Sequence, residues 1–146
     1  MKKPLLLSVV SLMLIGCVYT RPAIDVDENA SLYERLGGLP AIESVMAELT
    51  QQIAKDERIN GFFVGVDLER VEALLSQQVC AATGGPCVYQ GQSMLAVHTG
   101  MNITEAQFNA LVEDLIKSLD HHGVRQREKD ELLKILGTMK EDIVNR

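Results

Sequence analysis

From Leu32 to the end of the chain, apolar residues recur at intervals of three and four, and no stretch alternates with the period of two that a strand needs. That pattern restricts the chain to an all-α fold. Ser31 with Glu34 forms a capping box that opens a short helix, which stops at Gly37-Gly38. Pro40 then suits the first turn of a second helix, with Ile42, Val45, Met46, Leu49 and Ile53 on one face. After Gly61-Phe62-Phe63 and the turn Val64-Gly65-Val66, Asp67 caps a third helix that turns Leu68, Val71, Leu74, Leu75 and Val79 inward, with Gln78 on or beside that face. This helix ends at Gly84-Gly85-Pro86. Thr104 with Gln107 repeats the capping box before Phe108, Leu111, Val112, Leu115, Ile116 and Leu119, and Gly123 closes that helix. A last helix carries Leu132, Leu133, Leu136, Met139 and Ile143. The charges from Arg125 to Glu131 read as its solvated start, and His121 and His122 as solvated residues complementing the dipole of the helix before it.

The amino-terminal end is of a different kind. Lys2 and Lys3 precede an apolar run from Leu5 to Gly16, too short to span a bilayer and shaped like the core of a secretory signal. The run closes with Leu14-Ile15-Gly16-Cys17, which resembles the lipobox of bacterial lipoproteins: cleavage before Cys17, then acylation of its sulfur and new amino terminus. Three segments are therefore expected: 1–16 as a signal peptide, 17–30 as acylated cysteine and tether, and 31–146 as one helical domain. The thirteen residues Val18 to Ala30 have no apolar periodicity and reach at most about 45 Å if extended. Removing residues 1–16 takes two lysines away, so the charge moves from -6 to 12 cations against 20 acids, or -8. A surface this acidic repels phosphate backbones and anionic headgroups, which argues against a nucleic-acid partner and leaves the lipid as the membrane attachment. Val18 is not the aspartate that retains lipoproteins in the inner membrane in the sorting pattern this resembles, so an exported, periplasm-facing protein on the outer membrane is expected.

With Cys17 acylated, Cys80 and Cys87 remain as an even pair in an oxidising compartment. A disulfide between them closes an eight-residue loop and contributes about 2.5 kcal/mol on the chain-entropy estimate. Two free thiols or a metal pair are the alternatives. The spacing is wider than in zinc knuckles, and no Cys-x-x-Cys-His is present for covalent haem attachment.

Beyond that loop a short apolar turn ends in His98, set among Met94, Leu95 and Val97. Imidazole is a common protein ligand of haem iron, and a histidine in apolar surroundings is what a haem pocket needs. Chemistry alone leaves His98 open between that role and a structural one. The domain is poor in aromatic mass, with three Phe, two Tyr and no Trp, so a large flat prosthetic group would supply core volume, as a close-packed aliphatic core also would.

The order of elements and the residues Leu32-Tyr33-Glu34-Arg35-Leu36-Gly37-Gly38, Phe62-Phe63, Gly84-Gly85-Pro86 with Tyr89 and Gly91, Met94 four residues before His98, and Gly123-Val124 resemble the group I truncated haemoglobins. The likeness is closer to a lipoprotein-type subset in which cysteines bracket the Gly-Gly-Pro loop. The resemblance implies a two-over-two helical globin sandwich around non-covalent haem b, with His98 as the proximal iron ligand. It puts Phe63 against the porphyrin, and Val71, Leu75, Tyr89, Met94, Val97 and Phe108 along the pocket. It implies oxygen, nitric oxide or carbon monoxide as ligands.

The chain also departs from that family. Thr50 stands where the family usually has a distal tyrosine, and Leu75 where it often has glutamine, with Val71 one turn before. A lost hydrogen bond to a partly charged ligand accelerates its release roughly 10- to 100-fold, so tight oxygen storage is not expected. Gln78 supplies a donor only if its side chain turns inward, and Thr50 either faces the ligand or bonds its own helix. Whether nitric oxide dioxygenase-type or peroxidase-like turnover occurs is left open. No flavin or nicotinamide motif is present, so turnover would need a separate electron donor. Two rival readings stand beside this one: a haem-free helical lipoprotein acting as an envelope adaptor, and a zinc site of Cys80, Cys87 and His98.

Overall fold

The computed structural model describes residues 29–146, so the signal peptide, Cys17 and nearly all of the tether lie outside the described residues. Six α-helices follow in order: α1 Leu32–Arg35, α2 Gly38–Lys55, α3 Leu68–Ala82, α4 Met94–His98, α5 Glu105–His121 and α6 Gln126–Gly137. The turn Asn60–Phe63 joins α2 to α3, and the turn Lys140–Asp142 follows α6. Each capping residue read from the sequence closes its helix. Ser31 and Glu34 exchange bonds reciprocally before α1, Asp67 accepts from the Glu69 and Arg70 amides before α3, and Thr104 and Gln107 form a second capping box before α5.

Helix α2 is the centre of the packing, against both α3 and α5, while α6 packs on α1 and α5. The apolar face of α2, with Ile42, Val45, Met46, Leu49 and Ile53, is wholly buried against Val79 and Cys80 of α3, Ala110, Leu115 and Leu119 of α5, and Leu132 of α6. This is the two-over-two helical arrangement. Among the described residues the only strand-like pairing is an isolated parallel bridge between Ile103 and Val144, which ties the carboxyl terminus to the segment before α5.

Two expectations are corrected. The last helix stops at Gly137, so Met139 and Ile143 lie beyond it, Met139 just before the short turn and Ile143 just after it. The stretch from Arg125 to Glu131 is not merely a solvated helix start: Glu128 is 1% exposed and Lys129 8%. Glu128 accepts from Arg35 at 3.0 Å and from Arg125 at 2.7 Å, Arg35 also pairs with Glu131, and Lys129 pairs with Asp120. Charges go inside here because α1 packs on α6 and brings Arg35 to a buried carboxylate. Burial alone would push the Glu128 carboxyl up, but the hydrogen bonds and charges of Arg125 and Arg35 outweigh it and hold it below the usual carboxylate range. His121, by contrast, is exposed as expected, 3.9 Å from Glu48.

Candidate functional site

Helix α3 has two working faces. Ser76, Val79 and Cys80 face the buried core. Val71, Leu74, Leu75 and Gln78 are only half-buried, because their face lines a cavity of about 580 Å³. Helix α4 and the loop before it contribute Tyr89, Met94, Val97 and His98 to the lining. Phe62 and Phe63 of the turn before α3, Phe108 and Leu111 of α5, and Ile103 and Ile143 complete it. Val66 and Val97, each 44% exposed, also line it, so the cavity opens to solvent between the turn before α3 and α4.

The loop that delivers α4 is held by close contacts. Cys80 and Cys87 are joined in a disulfide, so this loop is tied directly to α3. A Cβ on Gly85 would come within 2.7 Å of the Cys80 sulfur and 2.5 Å of the Tyr33 ring, so only glycine lets the chain pass there. At Gly91 a Cβ would meet the Tyr89 hydroxyl at 2.1 Å. That hydroxyl donates to the Gln92 carbonyl at 3.1 Å, and burial pushes the phenol pKa up, so it stays a neutral donor.

His98 is the chemically decisive group. Its Nδ1 is 2.7 Å from the Met94 carbonyl oxygen. A carbonyl can only accept, so Nδ1 carries the hydrogen, and in the neutral form of the ring the lone pair lies on Nε2. This is the tautomer a metal ligand requires, and the same bond fixes the ring's orientation.

The other candidates divide. Phe63, Val71, Leu75, Tyr89, Met94, Val97, Phe108 and Gln78 all line the cavity together with His98. Thr50 does not. It is 5% exposed on α2 and its hydroxyl donates to the Ala47 carbonyl at 3.0 Å, with the Glu72 carboxylate farther off at 3.4 Å. A threonine inside a helix satisfies its hydroxyl locally, and here that competition wins. Gln78 lines the cavity, but its amide is directed at the Met94 and Met139 sulfurs. The zinc alternative loses its ligands, since both thiols are spent in the disulfide and no three His, Cys, Asp or Glu side chains converge to hold a metal among the described residues. Residues that the sequence reading passed over include Arg70, Gln107, Met101 and Ile103. Leu74 and Arg70 lie one and two turns before Gln78 on the same face, the one signal that could have found Arg70.

Comparison with known proteins decides what this arrangement is. The family pattern of the bacterial-like globins matches residues 31–145. The group 1 truncated hemoglobin GlbN of Mycolicibacterium paratuberculosis is 33% identical over 80% of this chain and 85% of its own length. The chain belongs to the group 1 truncated haemoglobins. GlbN of a Nostoc species is 31% identical to this truncated haemoglobin, over 80% of the chain and 99% of its own. Among solved structures, the truncated hemoglobin of Tetrahymena pyriformis in its Fe(III) form superposes with a TM-score of 0.77 at 27% identity, over 80% of this chain and all of its own. The 2/2 hemoglobin of Synechococcus sp. PCC 7002 superposes at 0.74 and 32% identity over the same shares, and that protein was solved with covalently attached heme.

Family membership brings haem as the non-covalent cofactor and diatomic ligand binding as the class of function. The cavity fits that group on its own terms. It is apolar and within the size range of cofactor sites. One imidazole with a free Nε2 suits an iron whose other ligands are already supplied by a porphyrin. Arg70 is the single permanent cation among the lining residues, and haem carries two carboxylates at one edge.

Proposed function

We propose that this truncated haemoglobin is an exported, lipid-anchored haem protein of the bacterial envelope, facing the periplasm and attached through Cys17, with rapid exchange or redox handling of a diatomic ligand as its task. The observation that carries the haem assignment is the 2.7 Å contact from His98 Nδ1 to the Met94 carbonyl, which leaves Nε2 free to ligate. Haem b, when bound, supplies an iron with a position open to oxygen, nitric oxide or carbon monoxide. The chain's own residues do the rest. Phe63 and Phe108 offer flat apolar surfaces, Tyr89, Met94 and Val97 surround His98, and Arg70 offers charge to the propionate edge. Val71, Leu74 and Leu75 would face the bound group with apolar surface that offers no hydrogen-bond donor. What supports the envelope reading is the lipobox Leu14-Ile15-Gly16-Cys17 together with a cysteine pair suited to an oxidising compartment. Val18 favours the outer membrane. Nitric oxide dioxygenase-type or peroxidase-like turnover would draw on a separate electron donor, since the chain carries no flavin or nicotinamide motif.

The test is His98→Ala in the purified protein. Wild type should show a Soret band, and the variant should lose most of its haem on gel filtration together with the stability that native-state ligand binding confers. Equal haem content and identical spectra in the two proteins would overturn the assignment, and a colourless wild type would favour the haem-free adaptor.

A further inference from the structure

Gln78 spends its amide on sulfur. Its Nε2 lies 3.3 Å from Met94 Sδ and 3.3 Å from Met139 Sδ, so one NH₂ group faces two thioethers from separate elements. A thioether is a weak acceptor, and a half-buried amide ordinarily finds a carbonyl or a water. Donor capacity is therefore under-used beside two methionines that are each only half-buried. Met46 is the contrast: it is 1% exposed in the aliphatic core.

Hydroperoxides convert methionine to its sulfoxide. The sulfur lone pair attacks one peroxide oxygen, the S–O bond forms and the O–O bond breaks. Sulfur is oxidised by two electrons, the peroxide is reduced, and the proton from the transferred oxygen passes to the departing one to give water or an alcohol. In an apolar core the new oxygen would be an unpaired polar group. Beside Gln78 it meets donors already in place. We propose that Gln78, Met94 and Met139 form a methionine-oxidation site for hydroperoxides, in which the Gln78 amide donates to the sulfoxide oxygen formed on either sulfur and lets the fold carry the modification. The site adjoins His98, since Met94 also holds that ring through its carbonyl, and Gln78 and Met94 line the same cavity. The proposal goes beyond the ligand-binding reading, and its readout, methionine oxygen content and melting temperature, fails separately from haem content.

The experiment treats full-length protein with hydrogen peroxide, maps oxidised methionines by peptide mass and compares melting temperatures before and after. Met94 and Met139 should gain oxygen while Met46 does not. Gln78→Leu removes the amide, and Gln78→Glu keeps its shape without the donors. Both oxidised variants should lose about 4 °C or more beyond the loss of oxidised wild type, the shift one unpaired polar group produces in a domain this size. Equal losses in all three proteins, or oxidation of Met46 in step with Met94 and Met139, would overturn the proposal.

Discussion

Replacing Thr50 by valine separates the two roles that a threonine at this position can play. Valine keeps the branched shape and deletes the hydroxyl. In the structure that hydroxyl donates to the Ala47 carbonyl at 3.0 Å, inside a site 5% exposed, and Thr50 does not border the cavity. The main lost bond is neutral and its acceptor already serves within the helix, while the contact with the Glu72 carboxylate is long at 3.4 Å, so stability should fall by about 1 kcal/mol. Oxygen release should stay within about twofold of wild type, because nothing that touches the ligand changes; a donor that did touch it would contribute about 1.5–3 kcal/mol, or roughly 10- to 100-fold in rate. Thr50→Tyr should move the other way. Its ring cannot fit the packed site without strain of about 1–3 kcal/mol, and relief lies in turning the phenol toward the cavity, where it would slow oxygen release roughly 10- to 100-fold. Stopped-flow release from the ferrous oxygen complex reads both variants, with carbon monoxide as a ligand less dependent on hydrogen bonding. Acceleration of fivefold or more in Thr50→Val would refute the reasoning, as would a slow wild-type rate that tyrosine leaves unchanged.

Three further outcomes are expected. Opening the Cys80–Cys87 disulfide, by reductant or by Cys87→Ser, should cost about 2.5 kcal/mol on the chain-entropy estimate and loosen the loop before His98, read by thermal melts and by hydrogen exchange of residues 84–93. Cys17→Ser should move the protein from the membrane to the soluble fraction; retention at high salt would mean that something other than a lipid holds it. Because Glu128 is held below the usual carboxylate range in the folded state, its contribution is present above the unfolded pKa and is lost as pH falls through the folded one. Melting temperature should therefore decline as pH drops below the carboxylate range, and Glu128→Gln should flatten that decline; equal slopes would remove Glu128 as its source.

The helices and their starts were legible in the sequence because they depend on neighbours a few residues away. Ser31 with Glu34, Asp67, and Thr104 with Gln107 each satisfy backbone amides within their own first turn, and α2 announces its buried face by spacing alone. His98 stood out for a similar reason, as a histidine within a short apolar turn after a glycine-rich loop. Partners distant along the chain were decided only by tertiary packing. The spacing of Val71, Leu74, Leu75 and Gln78 marks a helix face, but whether that face meets a core or a cavity depends on where α4 and α5 lie. Arg125 to Glu131 read as a solvated helix start until Arg35, more than ninety residues earlier, arrived to pair with Glu128. The hydroxyl of Thr50 and the amide of Gln78 each had two available partners, and spacing cannot choose between them. The first stayed within its own helix, on the Ala47 carbonyl, and tertiary packing brought the second within 3.3 Å of two methionine sulfurs.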